Sequence, residues 1–468
     1  PNSTWCYYFY FIPKTIKSIT ITDDTTIPTY AFYNCSFVEN ITIPDSVTNI
    51  GEYAFVNTSI GFDEYGVQYI GKHLVDLKSN ISGTYTIKEG TKTIANNAFE
   101  NCNNLTGISF PSSLVTIGSK AFYNCNKLAN VKFPAELNYI GDYAFNCCYT
   151  LSNAVIPNSV TYLGKYAFAN CNGITSVKIS TGLTELNAGV FRSCSSLVSV
   201  SIPDNITNIR SEAFQYCSNL ISVKIPNSVT NIEGFALCEC SNLISVSLPE
   251  GLTTVNDYLF SGCTSLINIK IPNSVKTISI GAFKNCRSLS NVIIPDSVVE
   301  IGNGAFYGCT GLNSLTIPCS AKIYNSNETF YNCSKIEKII IAKDSGTMQS
   351  YGTSTSTGST STCYAYTPWY ISKNSIKEII IEDGIDNIGS YAFYENTGIT
   401  DITLPDSITS IGSRAFAKCS NLSKIIIPES VDSIGNGAFY GCSEMISVDI
   451  PDSVMSIGSE AFAYCPEE

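Results

Sequence analysis

The chain is poor in most residues on which catalysis depends. Its 468 residues include one histidine, two tryptophans and three methionines. A single histidine, His73, leaves no His pair for a metal and no Ser–His or Cys–His couple beyond itself. No C-x-x-C occurs, so the usual zinc-ligand spacing is missing as well. Neither G-x-x-x-x-G-K-[ST] nor G-x-G-x-x-G stands between a strand and a helix. Charged residues make up only 14%, and the net charge is −12. That balance argues against nucleic acid or an anionic membrane as partner. No stretch is apolar for about 18 residues, so no transmembrane helix is expected. No signal peptide is visible; with the abrupt start at Pro1 and an end in mid-unit after Phe462 and Cys465, the chain reads as a processed or truncated piece, its export signal or anchor lost.

What is present is one repeat. Gly118–Ile140, GSKAFYNCNKLANVKFPAELNYI, returns 23 residues later as GDYAFNCCYTLSNAVIPNSVTYL. The Phe of its Ala-Phe pair recurs at Phe32, Phe55, Phe99, Phe122, Phe145, Phe168, Phe191 and Phe214. Leu237 takes the slot once, followed by Phe260, Phe283, Phe306, Phe330, Phe393, Phe416, Phe439 and Phe462. Most steps are 23 residues; the exceptions are 44 after Phe55, 24 into Phe330 and 63 after it. The consensus reads AFxxCxxLxxIxIPxxVxxIGxx.

Leu128, Val131 and Phe133 give L-x-x-V-x-F, the strand pattern of leucine-rich repeats. Pro134 ends that strand, because it has no N–H for a ladder. Leu137 and Ile140 form a second apolar pair, suited to a second short strand. Gly141 is expected in a turn with positive φ. Around Ala144 and Phe145 there is room for one or two helical turns. A single coil buries too little apolar surface to offset ordering costs of about 1–2 kcal/mol per residue. Stacked coils share their faces, which is the logic of a solenoid. The fold class expected is therefore a repeat solenoid of 23-residue coils, mainly β with short helical or 3-10 turns.

The 20 cysteines could suggest a disulfide framework. Fifteen of them, however, occupy one slot three residues after the Phe, with Thr58 and Asn396 replacing it twice. One cysteine per coil in register suggests a column of buried thiols. Disulfides, if any form, would most readily involve the off-register Cys147, Cys238, Cys319 and Cys363.

Residues 1–30 form an atypical N-terminal coil or cap, with an aromatic cluster from Trp5 to Phe11 that either covers the first core or forms an exposed binding site. Residues 31–342 form the main array, with variant coils at 56–98. His73 lies in those coils and is assigned a structural place. In successive units Asn187, Arg210, Glu233, Asn256 and Ser279 replace the coil Gly, so the turn there is expected to differ if it is left-handed. Residues 343–375 hold an irregular Ser/Thr/Gly-rich insertion, SYGTSTSTGSTSTC, read as a flexible loop. The repeats continue over 376–468, either in the same stack or as a second array. Ten N-x-[ST] sequons occur, which an Asn- and Ser-rich repeat can produce by composition alone.

The units AFYNCNKLANVKFP, SVTNIGEYAF and IPDSVMSIGSEAFAYC resemble the leucine-rich repeats of the BspA-like surface protein family, also found in treponemal surface proteins. The likeness covers about nine-tenths of the chain. SGTM (345–348), TPWY (367–370) and IEDGIDNIGSYAF further resemble the non-canonical unit that often opens such arrays. The resemblance implies a right-handed solenoid with its parallel sheet on the concave face. It implies a cell-surface or secreted protein of anaerobic bacteria or parasitic protists, with roles in adhesion to host matrix, coaggregation or host-receptor engagement. The family has no catalytic motif to carry over, so neither an enzyme nor a cofactor or metal is expected.

The informative positions are strand residues that point away from the core. Seven residues after the Phe stand Val198, Ile221, Ile244 and Ile267 in four consecutive coils. Three residues further, the column reads Lys178, Ser201, Lys224, Ser247, Lys270. Together they are either strand-suited residues that keep the sheet soluble or a binding strip for a protein or glycan ligand. Acidic residues after the Pro (Asp45, Asp204, Glu250, Asp296, Asp406, Glu429 and Asp452) suit a solvated turn edge or, less readily, a weak calcium site. Two functions stay open: an adhesin binding host or partner-cell proteins or glycans, and a structural spacer or coat component that self-associates.

Overall fold

In a computed structural model, residues 12–78, 80–324, 326–344, 347–351 and 367–466 are described. The aromatic cluster before residue 12, Cys363 and most of the Ser/Thr/Gly run lie outside them. The chain divides into two compact units, Pro1–Val229 and Thr230–Glu468. Each is a stack of short parallel strands with almost no helix.

In the first unit every ordinary coil supplies two strand positions. The first follows the Leu of L-x-x-V-x-I: Ser176–Lys178 pairs in parallel with Ser199–Ser201 and with Ala154–Val155. The second is the expected short strand at the Ile-Gly. Thr93–Ile94, Thr116–Ile117, Tyr139–Ile140 and Tyr162–Leu163 pair one after another. The coil that begins at Gly118 is less regular at its first position, where only Gly107 and Asn130 bridge. Residues 12–30 form a coil like the others, since Ser18–Thr20 pairs with Asn40–Thr42 and Thr26–Ile27 with Asn49–Ile50.

The variant stretch contains the one antiparallel strand pair among the described residues, together with an antiparallel bridge between Phe62 and Gln68. Val67–Ile70 turns back at Gly71 onto His73–Leu77, and that strand then joins the parallel ladder through His73↔Thr93 and Leu74↔Ile94. His73 is fully buried; its Nε2–H donates to the Pro44 carbonyl at 3.2 Å. Burial pulls its pKa below the ordinary histidine value.

In the second unit the ladder crosses the irregular insertion directly. Lys338–Ala342 pairs on one side with Ser314–Pro318 and on the other with Glu378–Ile381. Trp369 is completely buried and stacks on Phe393 with ring centroids 5.9 Å apart, so it takes the place that Phe holds elsewhere. Its indole N–H donates to the Ala392 carbonyl at 3.1 Å.

The Phe column is the core of both units. Phe99, Phe122 and Phe145 stack with centroids 5.0 Å apart, and Phe260, Phe283 and Phe306 at 5.5 and 5.2 Å. These spacings follow the rise between neighbouring strands, about 4.7–4.9 Å.

The segment around each Ala-Phe is not helical, contrary to the expectation of helical turns there. It is a run of tight turns in which the residues two before and two after the Phe have positive φ. Around Phe122 these are Lys120 (54°) and Asn124 (59°); around Phe145, Tyr143 (58°) and Cys147 (63°). Left-handed residues interrupt a helix and turn alternate N–H groups outward. Lys120, Phe122 and Asn124 thus donate to the carbonyls of Asp142, Ala144 and Asn146 in the next coil, at 2.7–2.8 Å.

Gly141 corrects a second expectation, because it is not among the residues with positive φ. Glycine is needed there for closeness. A Cβ at Gly141 would sit 2.4 Å from the Ser119 nitrogen of the preceding coil. Where other residues fill the slot, the backbone accommodates them differently. Arg210 and Ser279 keep the N–H bond to the preceding coil, to Leu186 O at 2.9 Å and Val255 O at 2.8 Å, while Asn187 and Asn256 reach the equivalent carbonyls of Leu163 and Ile232 with their side-chain amides at 2.8 and 2.6 Å.

The in-register cysteines are thiols outside any disulfide, buried except for the half-buried Cys465, and most of them are also donors. Cys148 Sγ–H points to the Phe122 carbonyl at 3.3 Å, and Cys263 to the Leu237 carbonyl at 3.3 Å. Of the off-register cysteines, Cys147, Cys238 and Cys319 likewise stand outside any disulfide. The serine of each I-P-x-S-V turn is fixed the same way: Ser228 Oγ donates to Ile206 O at 2.7 Å and Ser297 Oγ to Val275 O at 2.6 Å.

Candidate functional site

Alternation within the first strand position separates core from surface. In the first unit Leu197 is fully buried while its neighbour Val198 is 41% exposed; Leu220 and Ile221 repeat the contrast at 0% and 45%. Val198 and Ile221 lie on adjacent coils, and the Ile221 N–H donates to the Val198 carbonyl at 3.2 Å. Lys178 and Lys224 are exposed on the same strand position of this unit. Register places Lys178 between Val155 and Ser201, so no second lysine is its direct cross-strand neighbour.

The second unit has its own pair. Ile244 and Ile267 are 45% and 48% exposed, and the Ile267 N–H donates to the Ile244 carbonyl at 3.4 Å. Lys270 is exposed and forms an ion pair with Glu250 at 2.8 Å. An exposed pair of this kind contributes little stability. It does neutralise the one lysine of the strip that lies in this unit. Ile293, in the lysine column, is 68% exposed, so that column carries apolar residues that the sequence reading did not single out.

The acidic turn residues are charge-paired where the structure gives them partners. Asp45 accepts from Lys72 at 2.5 Å and Lys92 at 3.2 Å, and those hydrogen bonds lower its pKa. Among the described residues no group of three His, Cys, Asp or Glu side chains could hold a metal ion. No helix among them is long and apolar enough to cross a membrane.

A second feature lies on the turn side of the second unit. Tyr258, Gly281, Gly304, Tyr307 and Tyr331 line a cleft of about 380 Å³. Its sequence signal is glycine at two successive positions, Gly281 and Gly304, of a column that elsewhere holds single glycines at Gly189 and Gly437 and otherwise Tyr, Phe, Asn, Lys, Arg or Glu.

The family model described as BspA type Leucine rich repeat region matches residues 5–87, 68–198, 164–287, 254–361 and 369–467. The chain belongs to this family. Among solved structures it is similar to a leucine-rich repeat protein from Bacteroides ovatus, at 27% identity over 85% of this chain and 97% of that one, with a TM-score of 0.52. It is also similar to a leucine-rich repeat protein of T. pallidum, at 23% identity over 51% of this chain and 82% of that one, TM-score 0.31. A third is the pneumococcal vaccine antigen PcpA, at 19% identity over 80% and 86%, TM-score 0.36. No curated protein matches the chain.

Proposed function

We propose that this BspA-type repeat protein is a non-enzymatic recognition protein of the cell surface or the extracellular space. It binds a protein or glycan ligand through the strand-lined face of its coils. The reading rests on the exposed aliphatic side chains that each unit keeps on that face, Val198 with Ile221 in one and Ile244 with Ile267 in the other. Exposed aliphatic groups beside lysines are unfavourable in water and suit a partner that covers them. Ligands of the class that the family likeness suggests, host matrix proteins, are the first to test.

The experiment is binding of the purified chain to immobilised fibronectin, fibrinogen, laminin and mucin at two salt concentrations. Saturable binding to one of them, lost in a chain with Ile221→Asp and Ile244→Asp but normal circular dichroism, is the expected result. Binding that survives both substitutions removes the strand face from the account. No binding to any of them, with concentration-dependent light scattering from the folded chain, favours a self-associating spacer.

A further inference from the structure

The residue two before the core Phe carries its side chain outward with positive φ in every described coil except that of Phe330, where Glu328 lies in the short helix Ser326–Thr329, and where that residue is aromatic the rings of successive coils stack. Tyr143 lies on Tyr166 at 5.1 Å in the first unit, and Phe235 on Tyr258 at 4.9 Å in the second. After Tyr258 this column is interrupted by Gly281 and Gly304, both with positive φ. The Tyr258 ring leans over Gly281, whose Cβ would fall 2.5 Å from Tyr258 Cε1. Gly304 is left uncovered, since the nearest atom to its Cβ position is Tyr307 Cβ at 3.7 Å. The cleft is thus a vacancy in an aromatic stack, beside the stacked pair Tyr307–Tyr331, whose ring centroids are 5.2 Å apart.

We propose that this vacancy is a carbohydrate site that takes a pyranose ring in the place of the missing side chain. The argument is one of shape and rim. The volume, about 380 Å³, falls in the range of small-molecule sites. A ring that lies against tyrosine faces continues the stack at the spacing the coils impose. Purely apolar rings fit the slot less well, because its rim is polar. Lys284 holds its ammonium 5.0 Å from the Tyr307 centroid, and Glu328 stands at the edge. Neither forms an ion pair among the described residues. Asn303, also on the rim, has an Oδ1 that is buried without a hydrogen-bond partner. An apolar ring would desolvate these groups and return nothing to them. A pyranose offers C–H groups to the tyrosine faces and hydroxyls to an ammonium, a carboxylate and an amide. The site lies on the turn side and is independent of the strand-face reading.

The test is saturation-transfer NMR on the full chain with maltotriose, mannotriose and triacetylchitotriose as probes. Transfer to the ring protons of at least one is expected. Gly304→Tyr should then weaken binding at least ten-fold by filling the vacancy. Tyrosine is compatible with this backbone, since Tyr143, Tyr166, Tyr258 and Tyr391 hold the equivalent position at φ 52–59°. Tyr331→Ala, which removes a wall without straining the turn, should weaken it comparably. No transfer to any of the three probes overturns the proposal, and so does a Gly304→Tyr chain that binds as the parent does.

Discussion

The thiol of Cys171 donates to the carbonyl of Phe145, one coil earlier, at 3.2 Å. The same carbonyl already accepts the Cys148 N–H at 3.2 Å within its own coil. A cysteine of this column thus satisfies a second lone pair of a buried carbonyl while filling a space of its own size, as Cys125, Cys194 and Cys286 also do. The slot selects for a small side chain with one weak donor, and cysteine meets both conditions.

Asn396 is the exception that measures this. It occupies the cysteine slot, is fully buried, and has neither its Oδ1 nor its Nδ2 hydrogen-bonded. Replacing a buried unsatisfied amide by the residue that fits neighbouring coils should help. Asn396→Cys is expected to stabilise the second unit by about 1–3 kcal/mol. Urea denaturation compares the two chains, and a lower midpoint for Asn396→Cys would contradict the reading.

Stability should fall on both sides of neutral pH. Burial pushes Cys194 and Cys442 up to about 12, and Cys171 and Cys263 rise with them. A thiol raised above its unfolded value of about 8.5 keeps its proton in the folded state and loses it on unfolding. Its contribution is therefore complete below about 8.5 and declines as the pH climbs toward 12. His73 acts in the opposite window. Its pKa is lowered by burial, so the unfolded chain takes up the proton first, and stability is lost as the pH drops below about 6.5. Urea midpoints at pH 5, 7.5 and 10 are expected to peak at 7.5. A His73→Gln chain should lose the acid decline and keep the alkaline one.

Two glycine substitutions should have opposite signs. Gly141→Ala drives a Cβ into the backbone of the coil before it and is expected to cost about 1–3 kcal/mol. Lys120→Gly frees a residue at φ 54° from a left-handed strain of about 1–2 kcal/mol, offset by about 0.5–1 kcal/mol of chain entropy. A small stabilisation, up to about 1.5 kcal/mol, should remain. Thermal melts of the two variants against the parent decide the matter.

Outward and inward residues of one strand should also separate in stability. Ile267→Asp, at a position 48% exposed, is expected to change stability by less than about 0.5 kcal/mol. Leu266→Ala, at its fully buried neighbour, should cost about 2–5 kcal/mol. Equal losses would mean that Ile267 belongs to the core.

Period, strand order, the Phe core and the buried thiols were all legible because each is a side-chain requirement repeated many times. The sign of φ was not. Tyr143, Lys120 and Arg414 are poor left-handed residues by type, and only the hydrogen bonds to the next coil hold them there. For the same reason Gly141 invited a dihedral explanation when the cause was contact with Ser119. Trp369 escaped notice because it stands one residue before Tyr370, which keeps the 23-residue phase with Phe393. The hairpin at 67–77 lacks a two-residue Asn-Gly or Asp-Gly signal; Gly71-Lys72 makes its turn. The tyrosine cleft was hidden because it consists of missing side chains, and a scan for recurring residues passes over a gap.

The hydrogen bonds between coils run in two opposed directions. At the second strand Gly141 N–H donates backward to Ile117, whereas at the turns Phe122 N–H donates forward to Ala144. Each coil is thus tooled to its neighbours like a link with a hook on one side and an eye on the other. A gain or loss of a few residues within a link would put hook and eye out of line together, while a whole link can be added or removed without disturbing either. Such a chain changes its length in quanta. The irregular steps are confined to stretches such as 343–375, on whose two sides Lys338–Ala342 and Glu378–Ile381 still pair in register.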